Sequence, residues 1–299
     1  MPTDLKLSVL DYYDVAPPAD NAAGDVWSGL PCHGFLGTGP LTGIVITPAC
    51  DLSNNKVETI TYLPIVPVRA FFGTPAYLPE LMRELSGQLE AANLKGLVEC
   101  PSRFVPPRQA DIDAARIVLD EASKLGGSAK ASAAIERARA GVDLLDFVRQ
   151  PALSSVPVSL WRTLLGEKNS GVTLERIVRN TYRTDLYFLP NDQQRRDWSG
   201  VPDHSLVLFR YAFSAPICVF ERAASVSEMD WLAVLADLRE IHPGIDAFGS
   251  VRPLKRLRLR PRFLSDLLTK YAAMHVRLGA PDFTPDTVDT FIATLLSNP

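Results

Sequence analysis

Two short apolar runs, residues 43–47 (GIVIT) and 57–63 (VETITYL), are rich in β-branched side chains and are joined by PACDLSNNK, a segment built of turn formers. In the second run Val57, Thr59 and Thr61 alternate with Glu58, Ile60 and Tyr62, the period of a strand. A β-hairpin or a longer β-connection is therefore expected, and it commits this end of the chain to a sheet. The preceding forty residues agree. Short strand candidates in LKLSVLDYYDV and DVW are separated by a Pro/Ala/Asn/Gly loop and followed by the Gly/Pro-rich SGLPCHGFLGTGPLTG, punctuation too dense for helices.

The period changes at Pro79. Leu81, Leu85 and Leu89 recur every four residues, so a helix starts where Pro79 sits in its first turn. VECPSRFVPP then reads as extended. Residues 108–149 carry two helical patterns, Ile112/Ala115/Val118/Leu119/Ala122 and Ile135/Ala138/Val142/Leu145, split by Gly126-Gly127-Ser128: an αα-hairpin, expected to pack on the rest by one face. Beyond Pro151 come helices in SLWRTLLGEK and TLERIVRNTY, a strand in DLYFLP and a polar loop NDQQRRDWSGVPD. Strands in HSLVLFRYAF and APICVFERA follow, then a helix in SEMDWLAVLADLREIH, the basic strip LKRLRLRPR and a final helix FLSDLLTKYAAMHVRL. The fold class expected is α+β, with a β-rich unit over 1–105, a helical hairpin over 106–150 and a mixed α+β unit over 151–299.

Composition narrows the function classes. A chain of 299 residues with 46% hydrophobic and 22% charged residues can bury a large core, and a net charge of −3 gives no global attraction to nucleic acid or an anionic membrane. No apolar stretch reaches the roughly 18 residues of a membrane-spanning helix, and the first residues lack the basic-then-apolar order of a signal peptide. The expectation is a cytoplasmic protein with no membrane partner. Cys32, Cys50, Cys100 and Cys218 are too few and too scattered for a disulfide framework. Nothing in the sequence calls for a cofactor.

GDVW at residues 24–27, GIVITP some sixteen residues later, then NNK and YLPIV, resemble the PemK/MazF-like growth-inhibitor family in order and spacing over residues 24–66. Those proteins open with a Gly-Asp-hydrophobic-Trp strand, continue with an apolar strand ending in Ser/Thr-Pro, and pass an Asn-containing turn into a Val/Leu-Pro strand. The resemblance implies an SH3-like β-barrel. Members that cut RNA are expected to carry Arg-Pro just before the apolar strand and Thr or Ser after the final Pro. Here Leu41-Thr42 and Ile65-Val66 stand at those places. The resemblance thus implies the barrel without the ribonuclease.

Three groups of residues carry candidate chemistry. Cys50 can be read as a nucleophile assisted by Asp51 and by a histidine, with His33 nearest in sequence. Cys32-His33 with Cys50-Asp51 can be read as metal ligands, although adjacent residues of an extended chain point to opposite faces. Cys50 can equally be a half-buried strand-end residue, with Asp51 closing an Asx turn near Ser53. The second group is basic. Residues 251–280 hold Arg252, Lys255, Arg256, Arg258, Arg260, Arg262, Lys270 and Arg277 against Asp266, so this window carries +7 and the remainder −10. As a strand, RLRLR would line Arg256, Arg258 and Arg260 on one face and Leu257 and Leu259 on the other, a row suited to a phosphate backbone, to charged edge protection or to ion pairing. The third group is structural in character: GFLGTG reads as a turn, His204 and His242 as local supports, and Trp161, Trp198 and Trp231 as packing anchors.

The resemblance implies a prokaryotic conflict protein, toxin-antitoxin-like or antiviral, and the basic face adds RNA, DNA or a protein as its expected partner. A Cys50-dependent enzyme is the alternative. A third reading is an interaction subunit docking through the hairpin 108–149.

Overall fold

The computed structural model describes residues 11–14, 19–54, 56–191, 201, 203–249 and 251–275. The fold is mixed α+β around one antiparallel sheet of eight strands: β1 (Tyr13–Asp14), β2 (Asp25–Leu30), β3 (Leu41–Val45), β4 (Thr59–Pro67), β5 (Leu186–Leu189), β6 (Ser205–Leu208), β7 (Phe213–Pro216) and β8 (Leu254–Leu259). Their order is β1-β8-β2-β3-β4-β6-β5, with β7 also paired to β4. The sheet is open, running from β1 at one edge to β5 at the other. Strands on both sides of the helical hairpin share it, so residues 1–105 and 151–299 contribute to a single sheet.

β4 is the longest strand because it serves three neighbours. One edge pairs with β3, and the other pairs first with β7 over Thr59 to Tyr62 and then with β6 over Ile65 to Pro67. Leu63 and Pro64 fall between those two partners. A proline inside a central strand normally leaves a ladder hydrogen bond unmade, and here it sits where that edge changes partner. Opposite it, Gly43 pairs with Pro64. A Cβ at Gly43 would lie 2.8 Å from Tyr62 Cδ2 and 2.9 Å from Leu30 Cδ1, so the absent side chain is what lets those two large residues close over β3.

Both faces of the sheet are covered. Trp27, Val45, Ile60, Tyr62, Leu206 and Leu208 point into a larger core shared with most of the helices. Val26, Ile44, Leu63, Ile65, Val207, Leu257 and Leu259 point the other way, against Phe263 and Leu267 of the last described helix. The strict change of face from one residue to the next is the strand period expressed as two cores.

The helices are α1 (Ala49–Ser53), α2 (Val68–Phe71), α3 (Leu78–Ala91), α4 (Gln109–Leu125), α5 (Ala129–Arg149), α6 (Val158–Leu165), α7 (Glu167–Val178), α8 (Ile217–Ser225), α9 (Trp231–Ile241) and α10 (Pro261–His275). The leucine spacing after Pro79 gives α3, with Leu81, Leu85 and Leu89 buried. The hairpin forms as α4 and α5, but α5 is not packed by one face. Ala138, Ala140, Gly141, Val142, Leu144 and Leu145 are all buried along it, and a Cβ at Gly141 would come 3.0 Å from Leu85 Cδ1 and 3.2 Å from Leu164 Cδ1. Small residues let α3 and α6 approach α5 from two sides. Arg116 of α4 ties the hairpin together through Asp143 and Asp146 of α5.

Two local expectations are corrected. APICVFERA begins as β7 but turns at Pro216 into α8, because Val219, Phe220 and Ala223 make a helical face for the core; their β-branched and aromatic character reads as strand in isolation. PACDLSNNK holds the one-turn helix α1 after Pro48 rather than a plain turn. Trp161 and Trp231 are buried anchors. Trp198, most of the loop NDQQRRDWSGVPD, Arg277 and the end of the final helix pattern lie outside the described residues.

Candidate functional site

The basic strip folds as β8, wedged between β1 and β2. Its simple alternation is broken: Val26 pairs with Leu257 and Trp27 with Lys255, so Arg256 is an extra residue bulged out of the ladder. The bulge brings Lys255 and Arg258, three residues apart, to one carboxylate. Asp25 is 0% exposed. Its Oδ1 accepts from Arg258 Nε at 2.5 Å, and its Oδ2 accepts from Lys255 Nζ at 3.0 Å and from the Ala22 amide at 2.8 Å. Lys255 also lies over the Trp27 ring, 5.5 Å from its centroid, and Arg258 donates to the Asp20 carbonyl. Arg252 pairs with Glu228 and donates to the Ala223 carbonyl.

The strip therefore divides. Arg252, Lys255 and Arg258 are turned toward acids of this chain. Arg256, Arg260 and Arg262 are exposed, and none has an acidic partner among the described residues: Arg256 donates to Ser28 Oγ, Arg260 to the Tyr13 carbonyl, and Arg262 lies over Phe263.

Cys50 lies in α1 and is exposed rather than half-buried. Its Sγ is 3.6 Å from Asp51 Oδ1, and its carbonyl accepts from Asn54 Nδ2 at 2.6 Å. Asp51 makes no capping bond to its own helix. His33 sits in a left-handed backbone conformation, φ 50°, with its ring 5.7 Å from Phe213. No hydrogen bond joins His33 to Cys50 or Asp51. Cys32 is buried, its thiol directed at the Gly37 carbonyl, and among the described residues no group of three or more His, Cys, Asp or Glu is placed to hold a metal ion.

Two clefts were not anticipated from sequence. One, of about 660 Å³, is apolar and lined by Phe72, Trp161, Ile177 and Phe188 among others, with His204 at its rim. His204 is held at three points: its Nδ1 accepts from the Asn191 amide, its carbonyl accepts from the Val68 amide, and its own amide donates to the Asp203 carboxylate. The other, of about 490 Å³, is charged and lies at the end of the sheet away from β8, where α3 begins.

The charged cleft is built around Asp185. Arg183 grips it through two parallel bonds, Nε to Oδ1 at 2.8 Å and Nη2 to Oδ2 at 2.6 Å, and turns Nη1 to the Ala76 carbonyl and Glu80. Arg210 Nε reaches Asp185 Oδ2 at 2.7 Å from the other side. Burial pushes the Asp185 carboxyl up, but the bonds and charge of Arg183 and Arg210 outweigh it and hold the group below the usual carboxylate range. The pairing of Leu186 with Leu208 explains the meeting, since it sets the residues before β5 beside those after β6. Arg183, Asp185 and Arg210 flank two recognisable strands in the sequence, so their meeting follows once those strands are known to pair.

No protein-family model, curated protein or solved structure matches the chain.

Proposed function

We propose that this is a cytoplasmic prokaryotic conflict protein, toxin-like or antiphage, that binds nucleic acid through Arg256, Arg260 and Arg262 and has no ribonuclease activity of its own. The observation that carries the reading is the exposure of these three arginines at the β8–α10 junction without an acidic partner among the described residues. Guanidinium groups left uncompensated in this way are suited to phosphate oxygens. The antiparallel run β2–β3–β4 carries the PemK/MazF-like motifs in their order and supports descent from an SH3-like barrel. Leu41-Thr42 and Ile65-Val66 supply neither a phosphate-stabilising arginine nor a hydroxyl after the final proline. Four unpaired thiols accord with a reducing compartment. No described helix is long and apolar enough to cross a membrane.

The test is binding to labelled RNA and DNA across a salt series, with Arg256, Arg260 and Arg262 replaced together by Ala. Arg258 is kept because it holds Asp25. Loss of three phosphate contacts lowers the salt slope by about 2–3. Absence of binding at low salt would sink the reading and turn attention to a protein partner.

A further inference from the structure

We infer that the charged cleft at Arg183, Asp185 and Arg210 is a binding site for a nucleotide: a phosphate group carried on a planar base. The inference is independent of the β8 arginines, which lie at the opposite end of the strand order.

The acids of the cleft are already satisfied. Arg183, its side chain only 19% exposed, directs Nε, Nη1 and Nη2 at Asp185, Glu80 and the Ala76 carbonyl. Its role is to position. Asp185 in turn holds Arg210 by Nε alone. The Arg210 side chain is 63% exposed, and its two terminal nitrogens have no partner among the described residues. A guanidinium fixed at Nε and open at both terminal nitrogens presents a fork for a phosphate's paired oxygens.

The second free cation is Arg103, which also lines the cleft. Among the described residues its side chain has no hydrogen-bond or ion-pair partner, and its guanidinium stands over the Phe104 ring at 5.5 Å. Arg103, Arg183 and Arg210 stand against Glu80 and Asp185, leaving the cleft with a net positive charge. Phe104 is 50% exposed with the Arg103 guanidinium over its ring, a half-exposed aromatic paired with a cation of the kind on which nucleobases stack. Tyr211 closes the wall, and burial pushes its hydroxyl pKa up, so it stays a neutral hydrogen-bonding group. A volume of about 490 Å³ lies within the usual range of small-ligand sites, roughly 300–1,000 Å³. A lone carboxylate would engage one guanidinium and leave Phe104 idle. A nucleotide uses both arginines and the ring.

The phosphate can come from a free nucleotide or from the end of a strand. Calorimetric titrations with AMP, adenosine, inorganic phosphate, and a tetranucleotide with and without a 5′-phosphate separate these sources. AMP or the phosphorylated tetranucleotide is expected to bind about tenfold or more tightly than its phosphate-free counterpart. Preference for AMP assigns a free nucleotide, and preference for the phosphorylated tetranucleotide assigns a strand end.

Arg103→Glu disturbs no ion pair or hydrogen bond among the described residues and should abolish binding. Arg210→Lys keeps the charge, removes the fork and should weaken binding. Phe104→Ala should weaken AMP while leaving inorganic phosphate unchanged. The triple Ala variant of the β8 arginines should bind AMP as the wild type does, so failure of one site is distinguishable from failure of the other. The inference is overturned if neither AMP nor the phosphorylated tetranucleotide binds, if inorganic phosphate matches AMP, or if Arg103→Glu binds as the wild type does.

Discussion

Replacing Asp25 by Asn tests whether the basic strand is held in place by one carboxylate. Asn keeps the size of the side chain and an acceptor for the Ala22 amide, but removes the negative charge that Lys255 and Arg258 share, leaving them carbonyl acceptors such as those of Ala19 and Asp20. Lys255 and Arg258 side chains are only 11% and 21% exposed, so water compensates them poorly. Breaking a buried ion pair from one side costs about 3–5 kcal/mol, and the partial exposure of both cations lowers that to about 2–4 kcal/mol. For a chain of this size the melting temperature should fall by about 3–6 °C. Differential scanning fluorimetry at fixed pH and salt reads the shift. Lys255→Met added to the Asp25→Asn variant should restore part of it, since one of the two cations that lost the carboxylate's charge is gone, with a coupling of about 1 kcal/mol or more in the double-mutant cycle. A loss under about 1 °C, or strict additivity, would refute the account of β8.

Four further outcomes follow from the same structure. Gly43→Ala should lower stability by about 1–3 kcal/mol in a urea titration, because its Cβ would meet Tyr62 and Leu30 inside contact distance. Asp185 carries a depressed pKa, so its stabilisation is fully present above the ordinary carboxylate value of 3.8 and is lost as the pH falls through its own lower value. Between about pH 5 and pH 3 the wild type should therefore lose more melting temperature than Asp185→Asn; equal losses would contradict this. Cys50→Ala, exposed and without a histidine partner, should leave melting and nucleic-acid binding unchanged, whereas loss of a measured activity with the fold intact would revive the nucleophile reading. Deleting residues 108–149 should unfold the protein by circular dichroism, because α5 lies between α3 and α6; a folded remainder that has lost only a binding partner would instead identify the hairpin as a docking element.

Local chemistry was legible where it is decided locally. The leucine period after Pro79, the Gly126-Gly127 break and the alternation around Ile60 and Tyr62 each specify an element, and each is present. Pro216 and the segment after it show the limit: CVF has strand propensity, but the core needs Phe220 and Ala223 on one helical face, and burial decides. The site was less legible for the same reason. RLRLR alternates in sequence, yet the bulge at Arg256 reassigns its faces, and only the register against β2 reveals it. The Arg183–Asp185–Arg210 cluster depends on β5 pairing with β6, a long-range fact that no window of residues contains. Even the +7 window changes meaning: part of that charge is the counterpart of Asp25, the acid of the GDVW motif.

The place of β8 between β1 and β2 also sets a timetable for biosynthesis. Asp25 and Arg258 are 233 residues apart. At roughly 5–20 residues per second, the ribosome needs about 12–47 s to deliver the second after the first. Throughout that interval β2 waits with an unfilled hydrogen-bonding edge, and the carboxylate destined for the interior has neither of its cations. The nascent chain can pair β3 with β4 early, but can complete its β1–β2 side only once Leu254–Leu259 has been made. A stalled or truncated product stopping before Leu254 would thus carry both an open strand edge and an uncompensated charge, making the incomplete chain, rather than the finished protein, the form most in need of a chaperone.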